Sequence, residues 1–270
     1  MSDSRIVVTD PAREFVELLV ELRSGDAQLN GADFLASHFQ VKAWSQEYFR
    51  VLGALMDRLA ELKSIVKGLN IDDDYRENFI ANIESIEQIF TPSAFQNQWG
   101  HFGSDLLSEE HVGPLRGLSP IIRQTISYQK LSDAELEELL VSIIELTSLL
   151  SDLQSEDALF LRQALIEGLN KLRFRLERLK WLGHGYTLEA LKEVIGAYIA
   201  LERQFEHTAE NPDAEAVLRG AKAFIRTAYQ KVSGLKDVVE TGDFILRAYG
   251  LLSIAKVGAT FAAPLLLPAP

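Results

Sequence analysis

Five histidines are the first candidates for chemistry: His38, His101, His111, His184 and His207. Imidazole titrates near neutrality and binds metals through a neutral ring nitrogen, so paired histidines often mark an acid–base or zinc site. None of the five forms H-x-x-x-H or H-E-x-x-H, the spacings that put two ligands on one helix face. The nearest approach to a constellation is "SEEH", residues 108–111, which sets Glu109 and Glu110 beside His111, with His101 upstream. A metal-ligand or acid–base role for this His101–His111 loop is one reading, and a solvated loop is the plainer one. Trp99 and Phe102 flank His101, either as an exposed binding surface or, more simply, as anchors of the loop to the core.

Other chemistries lack their residues. There is no cysteine, which removes disulfides, thiolate nucleophiles, Fe–S clusters and Cys-based zinc sites. "WGHFG" (99–103) and "GHG" (183–185) are glycine-rich but match neither dinucleotide nor P-loop spacing, and neither follows a strand pattern. No G-x-S-x-G elbow is present, nor the paired Glu-x-x-His of a di-iron bundle. No catalytic residue, metal or cofactor is therefore assigned.

Charge points to surfaces instead. Lys and Arg number 27 against 39 Asp and Glu, a formal charge of −12. Phosphate binding requires neutralising bases, so nucleic acid is not an expected partner. Two stretches run against the average. One is "KLRFRLERLK", residues 171–180. The other is the acid-free stretch from Ala216 to Lys236, which holds Arg219, Lys222, Arg226, Lys231 and Lys236. Such a cluster suits an anionic surface, including lipid headgroups.

The C-terminal end, "AYGLLSIAKVGATFAAPLLLPAP" (248–270), is nearly all apolar. A bilayer span needs about 20 such residues, and Phe244–Ala263 supplies that length. Lys256 in its middle would cost about 2.5–3.5 kcal/mol at mid-membrane, unless it faced a bundle interior or a polar lumen. Ala255, Ala259 and Ala263 recur every fourth residue, a small face that lets helices approach closely. Leu251, Leu252 and Phe261 complete the apolar set. The competing reading packs these residues into a soluble core, with Lys256 at its edge.

The elements that must position these groups read as helices. Asp10 and Pro11 give a start signal, a capping side chain followed by a residue with no N–H to lose. The first helix then runs to about Arg23. Val41, Trp44, Tyr48, Val51, Leu55, Leu59, Leu62 and Val66 recur at spacings of three and four, ending at Gly68. A further helix is predicted from Asp73 to Phe90, closed by Pro92. Residues 91–119 concentrate Gly, Pro, Asn and Ser and read as an irregular connection, followed by a short helix from Pro120 to about Gln129.

Ser132 and Glu135 then form an S-x-x-E capping box. Leu136, Leu139, Ile143, Leu146, Leu150 and Leu153 keep a three–four alternation, and Leu165, Leu169, Leu172, Leu176 and Leu179 resume it. The pattern predicts an antiparallel hairpin over about 132–182, its acid-rich first arm facing its base-rich second arm. Thr187 is expected to cap the next helix, to about His207, and Asn211–Asp213 to open another.

The expected fold is thus all-α, a multi-helix bundle divided as 1–90, 91–119, 120–243 and an apolar 244–270. The expected function is that of a non-enzymatic, homo-oligomeric assembly protein. Its C-terminal segment would engage membrane lipid, with an oligomeric pore as the extended form, under control of a protein or small regulator. The N-terminus "MSDSRIVVTDP" lacks the basic start and long apolar core of a signal peptide, so a cytoplasmic protein associating with membrane through its C-terminus is expected. The alternative is a soluble helical scaffold. The third reading is a helical ligand- or metal-binding enzyme using the His101–His111 loop.

Overall fold

The computed structural model describes residues 8–25, 28–152, 159–205 and 212–233. It is all-α, and the few strand residues are confined to Val8–Thr9 and Tyr128–Gln129. The described residues divide into two units, 9–127 with Lys180–Leu182, and 128–233 without those three but with Val8.

In the first unit, helix α1 (Pro11–Arg23) starts where the sequence places it. The Asp10 carboxylate accepts from the Arg13 amide at 2.9 Å. The same carboxylate is fully buried and also takes the Ser119 hydroxyl at 2.7 Å and the Arg123 guanidinium at 2.8 Å. A buried carboxylate needs such partners, because an unpaired charge away from water is costly. Asp10 thereby joins α1 to the distant helix on which it packs, α7 (Glu109–Arg123).

Helix α2 (Gly31–His38) follows, capped by Asn30. Helix α3 (Gln46–Gly68) begins later than the apolar stripe suggested. Ser45 caps it by accepting from the Tyr48 amide at 3.1 Å, and Trp44 lies before the cap at φ 63° with more than half its surface exposed. Trp44 is therefore no part of the stripe, whereas Tyr48, Val51, Leu55, Leu59, Leu62 and Val66 are buried as the spacing requires. Helix α4 (Asp73–Glu87) runs into a tighter turn at Gln88–Phe90.

Residues 91–119 are not an irregular connection. They form α5 (Pro92–Gln96), α6 (Trp99–Leu106) and most of α7. Pro92 opens α5 behind the Thr91 cap rather than only closing the helix before it. Pro114 and Pro120 both lie inside α7, so no separate helix starts at Pro120. Burial of Val112, Leu115, Leu118 and Ile122 on one side outweighs the propensity of the prolines and glycines.

The second unit contains α8 (Asp133–Asp152), α9 (Leu159–Glu177), α11 (Pro212–Ser233) and, apart from Lys180–Leu182, α10 (Leu179–Phe205). The capping box is present. The Ser132 amide donates to Glu135 at 2.9 Å, and the Glu135 amide donates back to the Ser132 hydroxyl at 3.3 Å. The Ser132 amide holds the Glu135 carboxyl below its ordinary range.

Leu139, Ile143, Leu146 and Leu150 of α8 meet Leu165, Leu169, Leu172 and Leu176 of α9 in one core. Val194 and Ile195 of α10 and Val217, Phe224 and Ile225 of α11 complete it. Helices α8 and α9 do pack together, while the six residues between them, Leu153 included, lie outside the described residues.

Helix α10 is broken at Gly183, whose φ of 79° and ψ of 167° suit glycine alone. Thr187 does not cap a new helix there. It sits within the helix, its hydroxyl donating to the Gly183 carbonyl at 3.0 Å.

Candidate functional site

Helix α11 positions the basic residues singled out by the sequence. Val217, Ala221, Phe224, Ile225 and Ala228 are buried, and Arg219, Lys222 and Arg226 emerge on the opposite side, exposed. Positions 219, 222 and 226 fall on one stripe because steps of three and four return to the same side of a helix. Among the described residues no carboxylate or aromatic ring engages these three side chains. Lys231 departs from the group. It is turned toward α8 and forms an ion pair with Glu138. Lys236 lies outside the described residues.

The other basic stretch is consumed internally. Lys171 pairs with Glu193 of α10 at 2.8 Å, and Arg173 with Glu177 of its own helix at 2.7 Å. Arg175 lies 3.8 Å over the Tyr186 ring and donates to the Tyr186 carbonyl, and Arg178 lies over Phe174. Lys180 pairs with Glu21 at 3.1 Å. Lys171, Arg173 and Lys180 thus meet carboxylates outside the acidic arm, those of Glu193, Glu177 and Glu21. Glu138 of the acidic arm is taken by α11. The sequence pattern showed which residues are basic but not which are already neutralised.

The histidines do not assemble. His101 is exposed on α6, whereas His111 is on α7 with Nδ1 3.4 Å from the Asn82 side-chain oxygen. Glu109 is engaged by Arg116. The His101–His111 segment is thus two helices rather than a loop, and among the described residues no group of acids and histidines could hold a metal. His184 is buried, and its Nε2 accepts from the Leu131 amide at 3.2 Å. His207 lies outside the described residues. Trp99 is no exposed binding residue. It is buried, stacked on Phe34 with ring centroids 4.4 Å apart, and donates to the Leu22 carbonyl at 3.0 Å.

Two groups escaped the sequence reading. One is a buried pair, Glu14 and Arg58, 3.8 Å apart and each almost fully shielded, with Arg58 also donating to the Trp181 carbonyl. These bonds serve the first unit's interior. The other is the outward face of α8, where Val141, Ile144 and Leu149 are each about half exposed. The sequence signal for it was present, since 141, 144 and 149 fall outside the 139–143–146–150 stripe.

Leu251, Leu252, Ala255, Lys256, Ala259, Phe261 and Ala263 all lie outside the described residues. Among the described residues, no helix is long and apolar enough to cross a membrane. Comparison with protein-family models, with curated proteins and with solved structures finds no match to the chain.

Proposed function

We propose that this chain is a non-enzymatic helical assembly protein that engages an anionic membrane surface. In this reading the basic side of α11 makes the surface contact and the apolar 244–270 segment anchors it. The observation that carries the reading is the exposed stripe of Arg219, Lys222 and Arg226, unpaired among the described residues, in a chain of net charge −12. Each basic residue near an anionic leaflet contributes about 1 kcal/mol, so three contribute about 3 kcal/mol, roughly 100-fold in partitioning. The apolar segment adds a second, non-electrostatic signal, and two signals are what stable anchoring requires.

The test is co-sedimentation with vesicles. Full-length protein should bind phosphatidylserine-containing vesicles, bind pure phosphatidylcholine vesicles far less, and lose binding as salt rises. The triple variant Arg219→Gln, Lys222→Gln, Arg226→Gln should bind the anionic vesicles roughly 100-fold more weakly. Equal partitioning of wild type and variant would overturn the reading. Release of a vesicle-trapped dye would extend it to a pore.

A further inference from the structure

Helix α8 has two faces that behave differently. Leu139, Ile143, Leu146 and Leu150 are buried in the core. On the other side, Val141, Ile144 and Leu149 stand 48%, 50% and 50% exposed among Glu137, Glu145 and Asp152, also exposed. Positions 137, 141, 144, 148 and 152 follow steps of three and four, so the outer stripe mixes acids with β-branched side chains. The outer side of a surface helix typically carries polar and charged residues, so three half-exposed apolar side chains gathered there form a strip whose burial by a partner would be favourable.

The complement of this strip is on the same unit. The outer side of α11 carries Arg219, Lys222 and Arg226 with Ala216 and Ala223 between and beside them, all exposed. The alanines leave room for a close approach of branched side chains, and the bases supply the opposite charge. The spacings agree as well. Arg219 and Arg226 are seven residues apart, about 10.5 Å along a helix, as are Glu145 and Asp152. Yet the two faces cannot meet within one chain. Helices α8 and α11 already pack on each other through their buried sides, with Lys231 and Glu138 paired across them. The acid–apolar strip and the basic strip therefore both face away from their common core.

We propose that the acid–apolar face of α8 docks onto the basic face of α11 of a second copy of this chain. The patch on one copy differs from the patch it meets, so a reciprocal exchange of the two faces closes a two-fold dimer and a one-way exchange builds a ring or an open chain. The inference rests on the membrane reading in one respect: it names what covers the basic strip of α11 away from lipid. Self-association and anionic lipid then compete for Arg219, Lys222 and Arg226.

The test is sedimentation velocity of the full chain without lipid, over a range of concentrations, at about 50 mM and about 500 mM NaCl. Wild type should associate with concentration, at least tenfold more weakly at the higher salt. Glu137→Lys with Glu145→Lys makes both faces basic, and Arg219→Glu with Arg226→Glu makes both faces acidic. Each double variant alone should stay monomeric, and an equal mixture of the two should assemble, because each offers the face the other lacks. All four positions are exposed, and recovery in the mixture shows that both variants are folded. A monomeric wild type, variants that assemble alone, or a mixture that stays monomeric would overturn the inference. Vesicle binding separates it from the function proposed above. The Glu137→Lys, Glu145→Lys protein keeps its α11 strip and should bind phosphatidylserine vesicles at least as well as wild type. Anionic-vesicle binding by a wild type that never self-associates would sink the inference alone. Self-association without vesicle binding would sink the membrane reading alone.

Discussion

His38, at the end of α2, shows how a single side chain can carry a pH dependence without being catalytic. Its ring packs among Phe34, Phe39 and Trp181, and its Nε2 is shielded, with no hydrogen-bond partner among the described residues. Glu21 lies 4.0 Å away and is itself held by Lys180. Burial pushes the imidazole below the ordinary histidine value, Glu21 opposes that shift, and Lys180 reinforces it. The folded pKa is thus lower than the unfolded value of about 6.5. In the window below about 6.5 the unfolded chain binds more protons, so this contribution is present above it and is lost as pH falls. Urea midpoints measured from about pH 7.5 to about pH 5.5 should fall more steeply for wild type than for His38→Gln. Parallel curves would show that His38 does not report on folding. A cap makes the second prediction at this scale. Ser132→Ala leaves the Glu135 amide without its acceptor and should cost about 1 kcal/mol in unfolding free energy. An unchanged melting curve would assign the start of α8 to packing alone.

At the scale of the element, helix periodicity was legible wherever the apolar stripe was long. Leu139 to Leu150 and Leu165 to Leu176 are buried as their spacing requires. Boundaries were legible where a capping side chain announces them, as at Asp10 and Ser132. The reading failed at α6 and α7, where Gly, Pro and Ser suggest a loop but burial of Val112, Leu115, Leu118 and Ile122 holds a helix. It failed also at Thr187, because the break falls at Gly183 and leaves Thr187 bonded one turn back. That break sets up a further test. Gly183→Ala must place a Cβ in a backbone region that is nearly glycine-only, at a cost of about 1–3 kcal/mol. Thermal unfolding of the variant measures this, and a loss well below that range would mean that the chain reaches the bend by another backbone route.

At the scale of the whole molecule, net charge is a poor guide to where a basic surface lies. "KLRFRLERLK" is the denser run of bases, yet Lys171, Arg173 and Lys180 pair with carboxylates and Arg175 stacks on Tyr186. The sparser run on α11 keeps Arg219, Lys222 and Arg226 in water. An exposed cation loses much of its reach to salt within about 8–10 Å, so only an unneutralised cluster acts on a surface. The vesicle and sedimentation experiments both address this cluster, and its two proposed occupants, lipid and a second copy, should exclude one another.

By itself the sequence determined the all-α class, the capping at Asp10 and Ser132, and the inward stripes of α3, α8 and α9, because these follow from local spacing and side-chain chemistry. It determined too that no cysteine chemistry operates and that a basic stretch precedes the apolar C-terminal residues. Only the tertiary structure decided which charges are spent. Glu193, on α10, neutralises Lys171 across 22 positions, and Glu138 meets Lys231 across 93. Such pairings depend on which helices pack together, and no local rule encodes them. The same packing turned one side of α8 to the core and left Val141, Ile144 and Leu149 facing water, the surface on which the self-association proposed here depends.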